Sequence, residues 1–432
     1  MKRFVIILLV ICLLLGCGVG YFSAKSAEES PAETAVSASP EAVLPPEEAP
    51  EETPEETPEE TPEEESAPAQ EQNAPVEGET QSAPVKTLNL DALRELYAPE
   101  EIVGSVDGRD LSWEEYFYWL GEMGAQAQNY INTMAMYGQS LDWNDKLNAD
   151  SEQTFAEYTV EMAQDCVRQL STLEAVAAEQ NVTLSAEEEA AVAQQLQDDI
   201  LATCGEGADE EAFNAYLAEN HVSRQMYDRM SRADYLFNGI YTKLYGENGA
   251  SVSEADALAY LAENAYLSAG HILFSTVDDT YAPLDEETVA KKLEQAETVS
   301  AELRAIEDDA ARAARFAELK AQYCEDPGRE VYPEGYVFTP GTMVEEFEDA
   351  VNALADYEVS EPVLSAFGYH VIMRLPLSAD ATVSVSNDGT ALTARSLYAN
   401  EKFNEEMTAR IESSDLTLRD DVAAIRLTDY LE

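Results

Sequence analysis

Basic residues are scarce in this sequence. Lysine and arginine together number 25 against 86 aspartates and glutamates, a formal net charge of −61 over 432 residues. A protein that neutralises phosphates needs the opposite balance, so nucleic acid is not expected as a partner, and neither is docking on anionic lipid through a basic patch. Histidine occurs three times and cysteine five times, which leaves imidazole or thiol chemistry few residues to use. Cys166, Cys204 and Cys324 lack C-x-x-C or histidine-linked spacing, so neither a metal nor another cofactor is expected. A Cys166–Cys204 disulfide stays open. The stretch Asp142-Trp143-Asn144-Asp145-Lys146 starts like a calcium loop, but it has lysine at a ligand position and no glycine at the turn. Apolar residues make up 45% of the chain, enough for the cores of two or three domains at this length.

The N-terminus is organised for export. Lys2 and Arg3 precede the apolar run Phe4 to Leu15, and Gly16 stands before Cys17. Leu14-Leu15-Gly16-Cys17 resembles the lipobox of bacterial lipoproteins, which implies a lipidated Cys17 after loss of the preceding residues. The alternative is an uncleaved anchor, since the apolar stretch continues to Phe22 and approaches the ~20 residues that span a bilayer. Both readings place the remaining chain outside the cytoplasm. From Ser26 to Val85 there are 18 glutamates and 11 of the chain's 18 prolines, with no lysine, arginine or aromatic residue. Proline blocks regular pairing and like charges repel, so residues 18–87 are expected to form a disordered, acidic tether.

Residues 88–264 read as a helical domain. An extended piece at Ile102 to Asp107 leads to Ser112-Trp113-Glu114-Glu115, a capping box before an aromatic-rich helix. Helical spacing continues from Glu152 to Gln180. A second capping box at Ser185-Ala186-Glu187-Glu188 opens a helix ending near Cys204-Gly205, and Ser223 and Ser253 read as further N-caps. Methionines and aromatics at this spacing are ordinary core or a flexible groove for unfolded chains. An amphipathic pattern over Leu392 to Ser413 places one more helix in the C-terminal segment, residues 379–432, packing back on this domain.

Residues 265–378 alternate strand and helix signals. Tyr266 to Phe274 reads as a buried strand, with helices over Asp285 to Ile306, Asp309 to Tyr323 and Val344 to Leu354. Two of the three histidines, His271 and His370, fall in apolar strands that flank this unit. A lone histidine in a strand is usually a satisfied core residue, but two on flanking strands with a loop carboxylate in reach suggest a site.

These residues carry a resemblance. His271-Ile272-Leu273-Phe274, Asp326-Pro327-Gly328, Met343-Val344-Glu345-Glu346-Phe347, Ser360-Glu361-Pro362-Val363 and Phe367-Gly368-Tyr369-His370 resemble the parvulin-type peptidyl-prolyl cis/trans isomerases. The earlier Ile102 to Gly108 and Ser112 to Tyr116 are similar to the chaperone region of PrsA and SurA folding factors. The resemblance implies an α+β chain: a mostly helical chaperone-like domain, built from the N-terminal segment and a C-terminal helix, with an inserted parvulin-like β-α-β domain. It also implies His271, Asp326, His370 and Ser365 as catalytic positions, and Phe338, Met343 and Phe347 as the pocket for the proline ring. Cys324, two residues before Asp326, is the alternative for the Asp/Cys position. One departure stands out. Where the family has Gly-Gly-Asp-Leu-Gly-x-Phe, this chain has Tyr332-Pro333-Glu334-Gly335-Tyr336-Val337-Phe338, with Gly335 in place of the pocket leucine.

The expected function is therefore a membrane-anchored, extracytoplasmic prolyl isomerase and foldase acting on X–Pro bonds of unfolded exported polypeptides. The first alternative is a holdase whose parvulin unit is weak or inactive. An acidic surface adhesin, resting on anchor, tether and charge alone, is the second. Ser275 to Asp279 offers no basic residue, so a phosphate beside the proline would meet acidic neighbours.

Overall fold

The computed structural model describes residues 86–148, 151–386 and 389–432. Cys17, the signal segment and the tether up to residue 85 lie outside the described residues. Residues 87–88 and 431–432 meet at the start of the helical part. Leu88 bridges Leu431, and Thr87 and Glu432 exchange backbone hydrogen bonds of 2.9 Å each way. Strands β1 (Ile102–Val106) and β2 (Arg109–Ser112) form a hairpin, to which β9 (Leu416–Leu418) adds from the far end of the sequence in the order β2-β1-β9. Gly104 permits this pairing, because a Cβ there would lie 2.3 Å from the Thr417 carbonyl oxygen.

The helices begin where their caps dictate. Ser112 Oγ accepts the Glu115 N–H and starts α2 (Trp113–Met136), which follows the short α1 (Leu90–Arg94). The return half of the expected capping box is missing. The Glu115 carboxylate instead receives Arg109 at 2.7 Å and Arg229 at 2.9 Å, because a buried carboxylate is stabilised far more by two guanidiniums than by one backbone donor. Thr154 and Glu157 cap α3 (Phe155–Glu179) reciprocally, as Ser185 and Glu188 do for α4 (Ala186–Cys204), which stops at Gly205 with φ +90°. Then come α5 (Glu210–Glu219), α6 (Arg224–Tyr245) and α7 (Glu254–Glu263), the last two capped by Ser223 and Ser253. Trp113, Tyr116, Trp119, Phe213 and Tyr227 fill the helical core. Far along the chain, α11 (Ala394–Ser413) inserts Phe403, Met407 and Ile411 into that core, and Phe403 meets Phe237 edge-on at 4.8 Å. No disulfide joins any two of the described cysteines Cys166, Cys204 and Cys324, so the Cys166–Cys204 bridge is not formed.

Between α7 and the closing segment lies a four-stranded antiparallel sheet in the order β4-β3-β6-β5. Its strands are β3 (Leu267–Ser275), β4 (Tyr336–Phe338), β5 (Val363–Ser365) and β6 (Gly368–Arg374). Central β3 is buried along seven consecutive residues, as a strand covered on both faces must be. One face carries α8 (Glu286–Arg304) and α9 (Asp309–Tyr323) through Val299, Leu303, Phe316 and Leu319. The other carries α10 (Glu345–Ala353), whose Phe347 and Val351 pack on Ala269, Ile372 and Phe338. A hairpin of β7 (Thr382–Val385) and β8 (Ala391–Thr393) leads directly into α11. The fold is thus α+β, mostly helical, with the sheet unit inserted between helices that the C-terminal helix joins. None of the described helices is long and apolar enough to cross a membrane.

Candidate active site

Sheet register brings the two histidines together. Leu273 on β3 pairs with His370 on β6, and His271 pairs with Ile372. Residues two apart on a strand share a face, so His271 and His370 are diagonal neighbours on the α10 side. Their Nδ1 atoms lie 2.9 Å apart with the rings within 13° of coplanar. Both are buried, at 6% and 4% exposure.

The loop after α9 supplies the carboxylate. Glu325 N–H donates to the Leu273 carbonyl at 3.0 Å, tying that loop to β3. Asp326 then caps the turn Pro327–Glu330 by accepting Gly328 N–H at 2.9 Å on Oδ1, and turns Oδ2 to His271 Nε2 at 2.8 Å. Cys324 points elsewhere: its sulfur accepts Leu273 N–H at 3.4 Å and faces the His271 carbonyl. At the other end, Ser365 Oγ lies 2.7 Å from His370 Nε2 and accepts Phe367 N–H at 3.1 Å.

With both imidazoles neutral, these contacts have one sense. Ser365 donates to His370 Nε2, His370 Nδ1–H to His271 Nδ1, and His271 Nε2–H to the ionised Asp326. Burial works against the Asp326 charge, but the His271 partner and the Tyr336 and Gly328 donors hold its carboxyl down at about 2. Burial first, then the neighbouring His271, pulls His370 down to about 3.

The apolar residues expected to receive a proline ring adjoin this network. Phe347 meets His271 edge-on at 5.4 Å, His370 at 5.7 Å and Phe338 at 5.9 Å. Phe338 and Phe347 are each 3% exposed, while Met343 is partly exposed against them. Met343 is therefore the most accessible of the three. A cavity of about 650 Å³ lies on the other side of Asp326, lined among others by Phe274, Lys292, Cys324 and Arg329. His271, Cys324 and Asp326 have donor atoms within 4.8 Å of one another, a convergence that the cysteine spacing does not reveal. Those atoms are already engaged, His271 with Asp326 and Cys324 with the β3 backbone.

The residue that sequence reasoning missed is Tyr336, whose hydroxyl donates to Asp326 Oδ2 at 2.6 Å. The Tyr332–Phe338 departure is its signal, although in the sequence that stretch shows only the loss of a leucine.

Residues 271–375 match the rotamase family model, described as a PPIC-type PPIASE domain. Foldase protein PrsA 4 of Bacillus cereus is 31% identical over 159 residues, which cover 36% of this chain and 54% of that protein. Foldase protein PrsA 1 of the same species is 47% identical over 68 residues, 16% and 24% of the two chains. Chaperone SurA of Chromohalobacter salexigens is 36% identical over 117 residues, 27% and 26% of the two. The chain thus spans about half the length of the first relative and about a quarter of the other two. Residues 271–375 are a parvulin rotamase domain of the PPIC type, carried in a chain homologous to PrsA foldases and SurA chaperones.

Proposed function

We propose that the protein is a prolyl cis/trans isomerase and foldase acting on X–Pro bonds of unfolded exported polypeptides, held at the outer face of the membrane through Cys17. The observation that carries this reading is the unbroken bond run Ser365–His370–His271–Asp326 beside Phe338, Met343 and Phe347. Rotation about an X–Pro bond faces a barrier of ~18–20 kcal/mol, because the amide has double-bond character. The planar amide is charge-separated and the twisted one less so. A water-poor, apolar wall therefore disfavours the ground state more than the transition state. Seating the ring on Met343 and Phe347 fixes one side of the bond while the other turns. His271 and His370 keep Asp326 oriented at the pocket's edge rather than shuttling protons, since their nitrogens are taken up by one another and by fixed partners.

Residues 265–378 perform this step, and the helical part, 88–264 with 379–432, holds the client. A neutral client suits the loop after β3. There Asp278 Oδ1 accepts Thr280 N–H, the Thr280 hydroxyl and Ala282 N–H, which builds an acidic turn. The near-complete burial of Phe338 and Phe347 supports the second reading, a holdase with slow isomerisation. Refolding of a proline-limited unfolded protein separates the two. An isomerase accelerates the slow phase in proportion to its concentration, and a pure holdase suppresses aggregation without changing that rate.

A further inference from the structure

Tyr336 occupies the place where this chain departs from its family, and its surroundings are built for it. Residue 335 can carry no side chain: its φ is +123°, and a Cβ would lie 2.7 Å from the Ala269 carbonyl oxygen and 3.0 Å from Leu375 Cδ1. The pocket wall at this point must come from a neighbour. Tyr336 pairs with Ala269 across β3–β4 and lies on the same face as Phe338, against the Phe338–Phe347 cluster. Its ring meets His271 at 5.6 Å and 73°, and Tyr332 at 4.9 Å.

Its hydroxyl also needs a seat. A Cβ on residue 328 would lie 2.0 Å from the Tyr336 oxygen, so glycine there leaves the hydroxyl its path to Asp326. The loop that delivers the ring is clamped from behind. Lys320, 8% exposed, donates from Nζ to the Pro333 carbonyl at 2.9 Å and the Tyr332 carbonyl at 3.3 Å. The outcome is a short O–H···O⁻ contact of 2.6 Å on the same Oδ2 that meets His271.

We infer that Tyr336 is a positioning residue for Asp326 and, through its ring, a wall of the proline pocket in place of the family's leucine. This rests on the isomerase reading. Two donors converging on Oδ2 and one on Oδ1 stop the carboxylate from rotating. A fixed, ionised Asp326 holds His271 with its proton on Nε2 and leaves Nδ1 to accept from His370. The departure from the family pattern thus replaces a purely apolar side chain with one that is apolar over its ring and polar at its tip.

The test uses the full chain as wild type, Tyr336→Phe, Asp326→Asn and the double variant, with two readouts. Carboxyl-carbon NMR follows the titration of Asp326, and a peptide isomerisation assay separates kcat from KM. Loss of one charge-assisted bond predicts that Tyr336→Phe raises the Asp326 midpoint by roughly one pH unit and lowers kcat roughly tenfold, with KM changed less than about twofold. In the Asp326→Asn background the same substitution changes kcat by less than about twofold. Gly328→Ala, which displaces the hydroxyl while leaving residue 336 intact, reproduces the midpoint shift and carries the test if Tyr336→Phe does not fold. An unmoved midpoint overturns the inference, as does an equal loss in both backgrounds. A wild type that isomerises no X–Pro peptide removes the isomerase reading instead, while the carboxyl titration still decides the Tyr336–Asp326 bond.

Discussion

His271 and His370, 99 positions apart in sequence, face each other through their Nδ1 atoms across 2.9 Å. Two imidazoles can share such a contact only if one donates and the other accepts, so each restricts the other's tautomer. The ionised Asp326, which can only accept, then sets the direction of the run, and the Ser365 hydroxyl at the other end follows it. Burial, and then His271 beside it, makes His370 a neutral histidine in the folded chain, while it is an ordinary one in the unfolded chain.

Stability should therefore fall with acid well before the carboxylates titrate. His370 moves from 6.5 to about 3 on folding, so the unfolded state binds the extra proton between those values. The cost is roughly 1.4 kcal/mol per pH unit as pH falls from about 6.5 towards 3. Asp326, lowered from 3.8 to about 2, adds stability above 3.8 that is lost as pH falls through that lower window. Denaturant unfolding across pH checks this. His370→Gln should remove most of the slope between pH 6 and 4, leaving the smaller part from His221, which burial also lowers, and an unchanged slope would show that another group causes it.

Much of this unit is legible in the sequence, for identifiable reasons. Helices Asp309–Tyr323 and Glu345–Ala353, and strand Leu267–Ser275, are short, strongly patterned and bounded by turn residues, and each lies within a residue or two of its expected limits. The capping pair Ser185–Glu188 is local and forms as written, whereas Glu115 is diverted by Arg229, 114 positions away. No local pattern announces that diversion. The same holds for β9, which is three residues long and becomes a strand only because β1 offers it an edge. Tyr336 was hidden for a similar reason: its role depends on Gly328, Gly335 and Lys320 meeting in space.

The pocket residues should separate stability from binding. Phe347 is buried, and Phe347→Ala should cost about 3–5 kcal/mol in denaturant unfolding. Met343 is partly exposed, so Met343→Ala should cost under about 2 kcal/mol yet raise the peptide KM several-fold. Equal effects of the two on stability would argue against Met343 as the open side of the pocket.

Asp326 and Cys324 should not be interchangeable. Serine at 324 can still accept Leu273 N–H, so Cys324→Ser should keep activity within about twofold. Asp326→Asn removes the charge that meets His271 and should lower kcat/KM by roughly 10–100-fold. Peptide kinetics on both variants at pH 7.5 decide it, and the reverse order would give the role to the thiol.

In the helical part, Glu115 binds Arg109 and Arg229 from a buried position. Glu115→Ala should destabilise the chain by about 3–5 kcal/mol, because it strands the Arg229 guanidinium with Glu174 alone. Denaturant titration measures this, and a loss under about 1 kcal/mol would mean that water replaces the carboxylate.

The most direct measurement is cis-to-trans isomerisation of a neutral Ala-Pro tetrapeptide by the full chain, with His271→Ala and a phosphoserine-Pro peptide run alongside. The account predicts catalysis by the wild type, a large loss in His271→Ala with the fold retained by circular dichroism, and slower turnover of the phosphorylated peptide. A wild type no faster than the uncatalysed rate, or a fully active His271→Ala, would contradict it.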